Sequence, residues 1–230
     1  MQRTAVLVHG AWHGAWCWER VVPLLDAAAV PLVVVDLPSV SHDNATLHDD
    51  ADYVRGALDS VEGEAVLVGH SYGGAVISAA GVHPNVAHLV FLCAFALDVG
   101  ESVQENSLAG GDDIGDLAAA VQIADGVVTI DPERAVPAFF HDCTPGVAAA
   151  AVDRLRPQSF GSLGGYVEAA AWRDKPATYV VCTDDRALPV AFQRSNAARI
   201  GTSVDWPTSH SPFLSRPELV ADLVIELSSR

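Results

Sequence analysis

A serine set between glycines, Gly69-His70-Ser71-Tyr72-Gly73, is the residue of this chain best suited to act as a nucleophile. The run before it, Val66-Leu67-Val68, is apolar, and Gly74-Ala75-Val76-Ile77 after it has a helical pattern. A strand, a sharp turn and a helix in that order force strained backbone angles on the serine and lift its hydroxyl above the end of a sheet. Gly69 and Gly73 remove the side chains that would collide where strand and helix cross. A serine hydroxyl stays a poor nucleophile until a base takes its proton. Nine histidines compete for that role. His70 adjoins Ser71, but adjacent side chains on such a turn point apart. His42, His48, His83, His88 and His141 fall in loops or on polar faces. His210 stands in Thr208-Ser209-His210-Ser211-Pro212-Phe213, between the last apolar strand pattern and the last helix. The third partner is an acid that orients the imidazole, expected after the penultimate strand. Cys182-Thr183-Asp184-Asp185-Arg186 offers two carboxylates there, and spacing does not choose between Asp184 and Asp185.

Attack by Ser71 on a carbonyl creates an oxyanion, which needs preorganised donors. The Tyr72 amide, directly after the serine, is expected to be one. The loop after the first strand, His9-Gly10-Ala11, is expected to supply the Ala11 amide as the other.

Holding these groups together requires a particular set of elements. Thr4–Val8, Leu32–Val35, the run ending at Ser71, His88–Cys93, Thr178–Cys182 and Thr202–Val204 read as strands. Helical patterns run from Trp18 to Leu25, after a Thr46 cap, from Val190 to Arg199 and from Pro217 to Leu227. Almost wholly apolar strands alternating with helices predict a mostly parallel sheet of about six strands, covered on both faces. The serine turn then lies at the carboxyl edge of the sheet, where such folds bind ligands. The alternation stops between Gly100 and Trp172, a stretch bounded by Gly110-Gly111-Asp112-Asp113 at the front and Gly161-Ser162-Leu163-Gly164-Gly165 at the back. Val127–Ile130 reads as a small hairpin strand within it, and Glu133–His141 and Val147–Leu155 as helices. Residues 1–99 and 173–230 are expected to form the core and 100–172 an inserted cap. Phe139, Phe140, Leu155 and Trp172 are expected to wall its pocket.

Bulk composition narrows the function classes. Twenty-nine acidic against thirteen basic residues give a formal charge of −16, with no Lys/Arg cluster, which argues against nucleic acid as a partner. Mean hydropathy is high at +0.25, yet no apolar run approaches the roughly 20 residues that span a bilayer. The first residues read as a strand instead of a signal peptide, so a cytoplasmic location without membrane contact is expected. The four cysteines are too few and too scattered for a disulfide framework, and none has zinc-like spacing. His9 and His13 lie among glycines in a loop, so no metal is expected there. Composition does not separate a monomer from a homodimer.

Five stretches together resemble the α/β-hydrolase branch of plant methylesterases, hydroxynitrile lyases and their bacterial esterase relatives. They are Leu7-Val8-His9-Gly10-Ala11-Trp12-His13-Gly14-Ala15-Trp16-Cys17-Trp18, the Gly69–Gly74 elbow, Phe91–Phe95, Cys182–Pro189 and Ser209–Phe213. The resemblance implies an α/β-hydrolase fold, here without the N-terminal antiparallel hairpin of larger relatives, and a carboxylesterase working through an acyl-enzyme with no cofactor. It favours Asp185 over Asp184, because Asp185 takes the place of the acid in the family's Thr-Glu-Asp motif. Gly10, Trp12 and Ser211 are the further positions expected to meet the substrate, a small, neutral ester with a compact apolar acyl or aryl group. Lyases of this branch carry Thr and Lys where this chain has Gly10 and Ser211. Without that Lys a departing cyanide meets no cation, so hydrolysis is the better reading. The alternatives are a lyase or cofactor-free cyclase on the same scaffold, and a ligand-sensing homologue that turns over slowly.

Overall fold

Apolar strands that bury both faces need helices on each side, and the chain folds accordingly. The computed structural model describes residues 2–109 and 115–230, so the expected break at Gly110–Asp113 lies outside the described residues. The strands are β1 (Thr4–Val8), β2 (Leu32–Val34), β3 (Ala65–His70), β4 (Val86–Leu92), β5 (Val121–Ala124), β6 (Val127–Ile130), β7 (Gln158–Ser159), β8 (Ala177–Cys182) and β9 (Ser203–Trp206). Six of them form one sheet in the order β2-β1-β3-β4-β8-β9, every pairing parallel. All residues of β1 and β3 are buried. The helices Leu47–Asp59 and Tyr72–Ala80 pack on each other, as do Val22–Ala27 and Pro217–Ser228. Parallel pairing puts every carboxyl strand end on one edge, which collects the loops carrying Ala11, Ser71, Asp185 and His210.

Local chemistry explains where the elements start and stop. Thr46 and Asp49 form a reciprocal capping box at the helix Leu47–Asp59. The expected helix Glu133–His141 instead divides into an α-turn, Pro132–Ala135, and a π-helical turn, Val136–Phe140. Pro137 has no amide to continue the ladder. The expected strand at Cys93 stops at Leu92, because Cys93 takes a positive φ of 38°. Between β4 and β8 the chain forms a second sheet, β5-β6-β7, which is antiparallel. Its hairpin turns on Asp125-Gly126, with φ of 51° and 81°, as a tight two-residue hairpin requires.

Glycine matters most at the crossing of β3 with the helix after it. A Cβ added at Gly69 would lie 2.5 Å from the Gly73 carbonyl oxygen, and one at Gly73 would lie 2.7 Å from that of His9. Neither backbone oxygen can swing away. Gly56 differs, since nothing lies within 4 Å of an added Cβ on its exposed helix face. Gly73→Ala is therefore expected to lower stability by about 1–3 kcal/mol or more, and Gly56→Ala to raise it by about 0.5–1 kcal/mol. Urea titration of the two variants beside the parent checks both signs.

Candidate active site

Ser71 follows β3 directly and precedes the first residue of the helix Tyr72–Ala80. Its φ of 51° and ψ of −119° form a sparsely populated conformation for a residue with a side chain. Three backbone bonds hold it there. The Ser71 amide donates to the Leu92 carbonyl at 3.2 Å, and the Ser71 carbonyl accepts from Gly74 at 2.9 Å and Phe95 at 3.1 Å. Gly10 passes so close that an added Cβ would sit 2.9 Å from the Ser71 Cβ and 2.8 Å from His70 Nδ1.

His210 lies in the loop between β9 and the short helix Pro212–Ser215, and its ring is buried. Its Nδ1–H donates to Asp185 Oδ2 at 2.6 Å, leaving Nε2 for other work. The Asp185 carboxylate is itself held by four donors. Oδ1 accepts from the amides of Ala187 at 2.8 Å and Leu188 at 2.9 Å, and Oδ2 from His210 and from Gln193 Nε2 at 2.8 Å. Asp184 is exposed, and its backbone carbonyl accepts from His141 Nε2 at 2.8 Å. Of the two carboxylates left open by spacing, Asp185 is thus the one beside His210. Gln193 escaped notice in the sequence. Its buried side chain bridges Asp185, the Leu188 carbonyl and the Cys182 amide. The legible signal was a polar residue in the stripe Gln193, Asn196, Ala197, the face that its helix buries.

Ala11 and Tyr72 flank the mouth of this arrangement. Among the described residues, neither backbone amide is paired with an acceptor. Ala11, Trp12, Ser71, Tyr72 and His210 all line one cavity of about 830 Å³. Its walls come from Phe95, Leu188 and Phe192 on one side and from Leu117, Val128 and Phe160 on the other. Trp12 thus lines the cavity, but five other expected substrate contacts do not. Phe139 and Phe140 are buried behind it in the π-helical turn, where Phe139 packs 5.7 Å from His210 and Phe140 5.9 Å from His13, ring to ring. Trp172 is turned away and donates from Nε1 to the Leu97 carbonyl at 2.8 Å. Gly10 lies under Ser71 and His70, and Ser211 is buried at the start of the helix that follows His210. Leu155 is likewise absent from the wall.

Beneath the site lie three more buried imidazoles. His9 Nε2 accepts from the Leu37 amide at 3.0 Å, His13 Nδ1–H donates to the Ala11 carbonyl at 2.8 Å, and His70 Nε2–H donates to the His210 carbonyl at 2.9 Å. Among the described residues one group with metal-ligand character exists, His70, Cys93 and His210, with ligand atoms within 4.8 Å of one another. His70 Nε2 and Cys93 Sγ both point to the His210 carbonyl, and His210 Nδ1 is committed to Asp185. That pattern is a hydrogen-bonded core and no coordination shell.

Burial takes the His13 imidazole to a pKa of about 3 and pushes that of His70 well below the usual range, with the charge of His210 adding to both shifts. Both stay neutral in the folded chain at pH values where the unfolded chain protonates them. Below about pH 6.5 the unfolded state thus holds extra protons. Stability is then expected to fall with pH by up to about 1.4 kcal/mol per unit for each histidine. Burial raises the carboxyl of Asp50, which opposes the loss by at most one proton. Urea midpoints at pH 7, 6 and 5 should decline steadily. Level midpoints would mean that these imidazoles are already charged in the fold.

Comparison with known proteins agrees with the architecture. A family model described as "Alpha/beta hydrolase family" matches residues 5–223. Methylesterase 7 of Arabidopsis thaliana is 29% identical over 271 residues, covering 100% of this chain and 97% of its own. The pyrethroid hydrolase of Sphingobium wenxiniae is 29% identical over 243 residues, covering 97% of this chain and 86% of its own. The crystal structure of a pyrethroid hydrolase from Sphingobium faniae JZ-2 superposes with a TM-score of 0.87 at 26% identity, covering 99% and 97% of the two chains. With a parallel sheet of six strands, a strained serine turn and a match across nearly its whole length, this chain belongs to the α/β-hydrolase family.

Proposed function

We propose that this protein is a serine carboxylesterase that hydrolyses neutral, apolar esters through an acyl-enzyme. The observation that carries the reading is the convergence on one cavity of Ser71, held at a strained turn, and His210, whose far nitrogen is engaged by buried Asp185. Ser71 attacks the ester carbonyl while His210 Nε2 takes its proton. The Ala11 and Tyr72 amides receive the oxyanion. His210 returns the proton to the leaving alcohol and then activates the water that releases the acid. Asp185 keeps Nδ1 protonated and the ring aimed, and it stabilises the imidazolium that forms. Relatives named methylesterase and pyrethroid hydrolase support ester cleavage as the reaction class.

Residues 100–172 act in this reading as a cap over a core of 1–99 and 173–230. Support comes from the cavity, whose walls draw on Leu117, Val128 and Phe160 as well as on Phe95 and Phe192. A cavity of about 830 Å³ falls in the range that encloses drug-sized ligands. It has room for a bulky acyl or alcohol group beyond a compact one. Arg199 reaches the cavity wall, but Glu101 accepts from both its terminal nitrogens, at 2.6 and 2.9 Å. No free cation is thereby offered to a substrate carboxylate by that side chain. A cyanohydrin lyase fits less well, because Gly10 offers no hydroxyl and Ser211 no cation where those enzymes carry Thr and Lys.

Ser71→Ala is expected to lower kcat on an activated aryl ester by about 10⁴-fold, with a residue of rate above water left by the oxyanion donors. Asp185→Asn should cost on the order of 10³–10⁴ in kcat, and Asp184→Asn only a few-fold. Full activity without Ser71 would refute the mechanism. Sustained turnover over many cycles separates an esterase from a ligand sensor that stalls after one. On specificity, kcat/KM should favour the methyl member of an ester pair differing only in methyl against carboxylate, at both low and high salt. A preference for the carboxylate would point to a cation this reading does not include.

A further inference from the structure

Trp12 adopts a φ of 63°, a left-handed conformation that is a marked outlier for so bulky a residue. Such strain persists only where the surroundings over-determine it. All the polar groups of Trp12 bind the segment between β4 and β8. Its amide donates to Gln158 Oε1 at 3.3 Å, its indole Nε1 to the Val128 carbonyl at 3.0 Å, and its carbonyl accepts from the Arg156 amide at 2.8 Å. Val128 and Gln158 are register partners on β6 and β7, so one small antiparallel pair presents both acceptors side by side.

Gln158 also faces the other way. Its Nε2 donates to Ser39 Oγ at 2.8 Å and to Ser162 Oγ at 2.6 Å. Ser39 Oγ in turn donates to Asp50 Oδ2 at 2.5 Å, and the same carboxylate oxygen accepts from the Tyr72 hydroxyl at 2.6 Å. Gln158, Ser39, Asp50 and Tyr72 are all buried, and every side-chain polar atom in the chain they form has a partner. One end of the chain is therefore the residue after Ala11, and the other is the residue after Ser71.

We propose that Gln158 is a positioning residue for the oxyanion hole, tying the left-handed Trp12 to the Ser39–Asp50–Tyr72 network so that the Ala11 and Tyr72 amides converge on one point. The inference rests on the ester-hydrolysis reading above and adds a task for the inserted segment. That segment holds the donor loop as well as walling the cavity. Gln158 touches no substrate, and its effect passes through Trp12 and Tyr72. A donor displaced by about 1 Å costs up to 10²-fold in rate with little change in ground-state binding.

The test compares parent, Gln158→Met and Tyr72→Phe on a p-nitrophenyl ester, together with inhibition by a trifluoromethyl ketone and Ser71 labelling by a fluorophosphonate. Gln158→Met keeps the volume and removes both polar ends; Tyr72→Phe deletes only the far hydroxyl and keeps a folded core if the first variant does not. The expected result is a kcat lowered about 10–100-fold in Gln158→Met and several-fold in Tyr72→Phe, with KM within about twofold. The ketone, which presents an oxyanion, should weaken by the same factors, whereas inhibition by an uncharged ether analogue of the ester, which has no carbonyl oxygen, should not change. Unaltered kcat and ketone affinity in a folded variant would overturn the proposal, as would a rise in KM alone. A parent protein that is neither labelled nor active on any ester would instead overturn the hydrolase reading on which it stands.

Discussion

The tight crossing where backbone passes backbone at the end of β3 is the constraint on which the rest depends. The Gly73 position leaves 2.7 Å between an imagined Cβ and the His9 carbonyl, and the Gly69 position leaves 2.5 Å to Gly73 itself. A helix that starts so near the strand it has just left cannot use relaxed backbone angles, so Ser71 carries the strain. The same crowding draws the loop after β1 against the turn, which is why Gly10 has no room for a side chain. Ser71, the Tyr72 amide and the Ala11 amide are thus neighbours because three glycines let two loops interpenetrate. Parallel pairing of β8 and β9 then brings Asp185 and His210 to the same edge.

Below that edge the interior is unusually polar for a core rich in Val and Ala, and its energetics follow from pairing. An unpaired carboxylate in such surroundings costs several kcal/mol. Asp185 answers with four donors, and Asp50 with the Ser39 amide, the Ser39 hydroxyl and the Tyr72 hydroxyl. Histidines answer differently. His13 and His70 stay neutral, using a ring nitrogen to fix a backbone carbonyl. His70 grips the carbonyl of His210, so that residue is steadied from behind as well as from Asp185. The two carboxylates are fully partnered, whereas His13 Nε2 and His70 Nδ1 are each left without a hydrogen bond, so only one nitrogen of each ring anchors a loop.

How much of this was legible in the sequence varied with the physics involved. Strand identity came from apolar runs, and the serine turn from its glycines, because both are local signals. The choice of Asp185 needed a resemblance, since two adjacent carboxylates differ only in which way their side chains face. The cavity wall was read poorly. Phe139 and Phe140 are large, apolar and near the site, but Pro137 turns their segment into a π-helical turn that points them into the core beneath. The residues that do line the cavity, such as Val128 and Leu117, come from hairpin and helix faces whose orientation is set by tertiary packing. Gln158 and Asp50 were invisible for a related reason. A buried polar side chain announces itself only through partners far away in sequence, here at Trp12, Ser39 and Tyr72.

Electrostatics links the site to the chain as a whole. The formal charge of −16 leaves few bases, and several of them are committed to acids, including Arg156 to Asp36, Arg154 to Glu19 and Arg194 to Asp205. Arg156 does more than neutralise, since its Nε and Nη2 donate to the His13 carbonyl at 3.2 and 3.0 Å while both terminal nitrogens bind Asp36. It thereby joins the segment between β4 and β8 to the loops after β1 and β2. Arg199 at the cavity is likewise paired, with Glu101, so the chain's overall excess of acids is not offset there by that side chain. For an ester hydrolase that field acts on the two ends of the reaction unequally. A neutral ester enters without an electrostatic barrier, whereas the acid it yields is ionised at neutral pH and is repelled. In the proposed reaction, one and the same charge would disfavour an anionic substrate and favour departure of the anionic product.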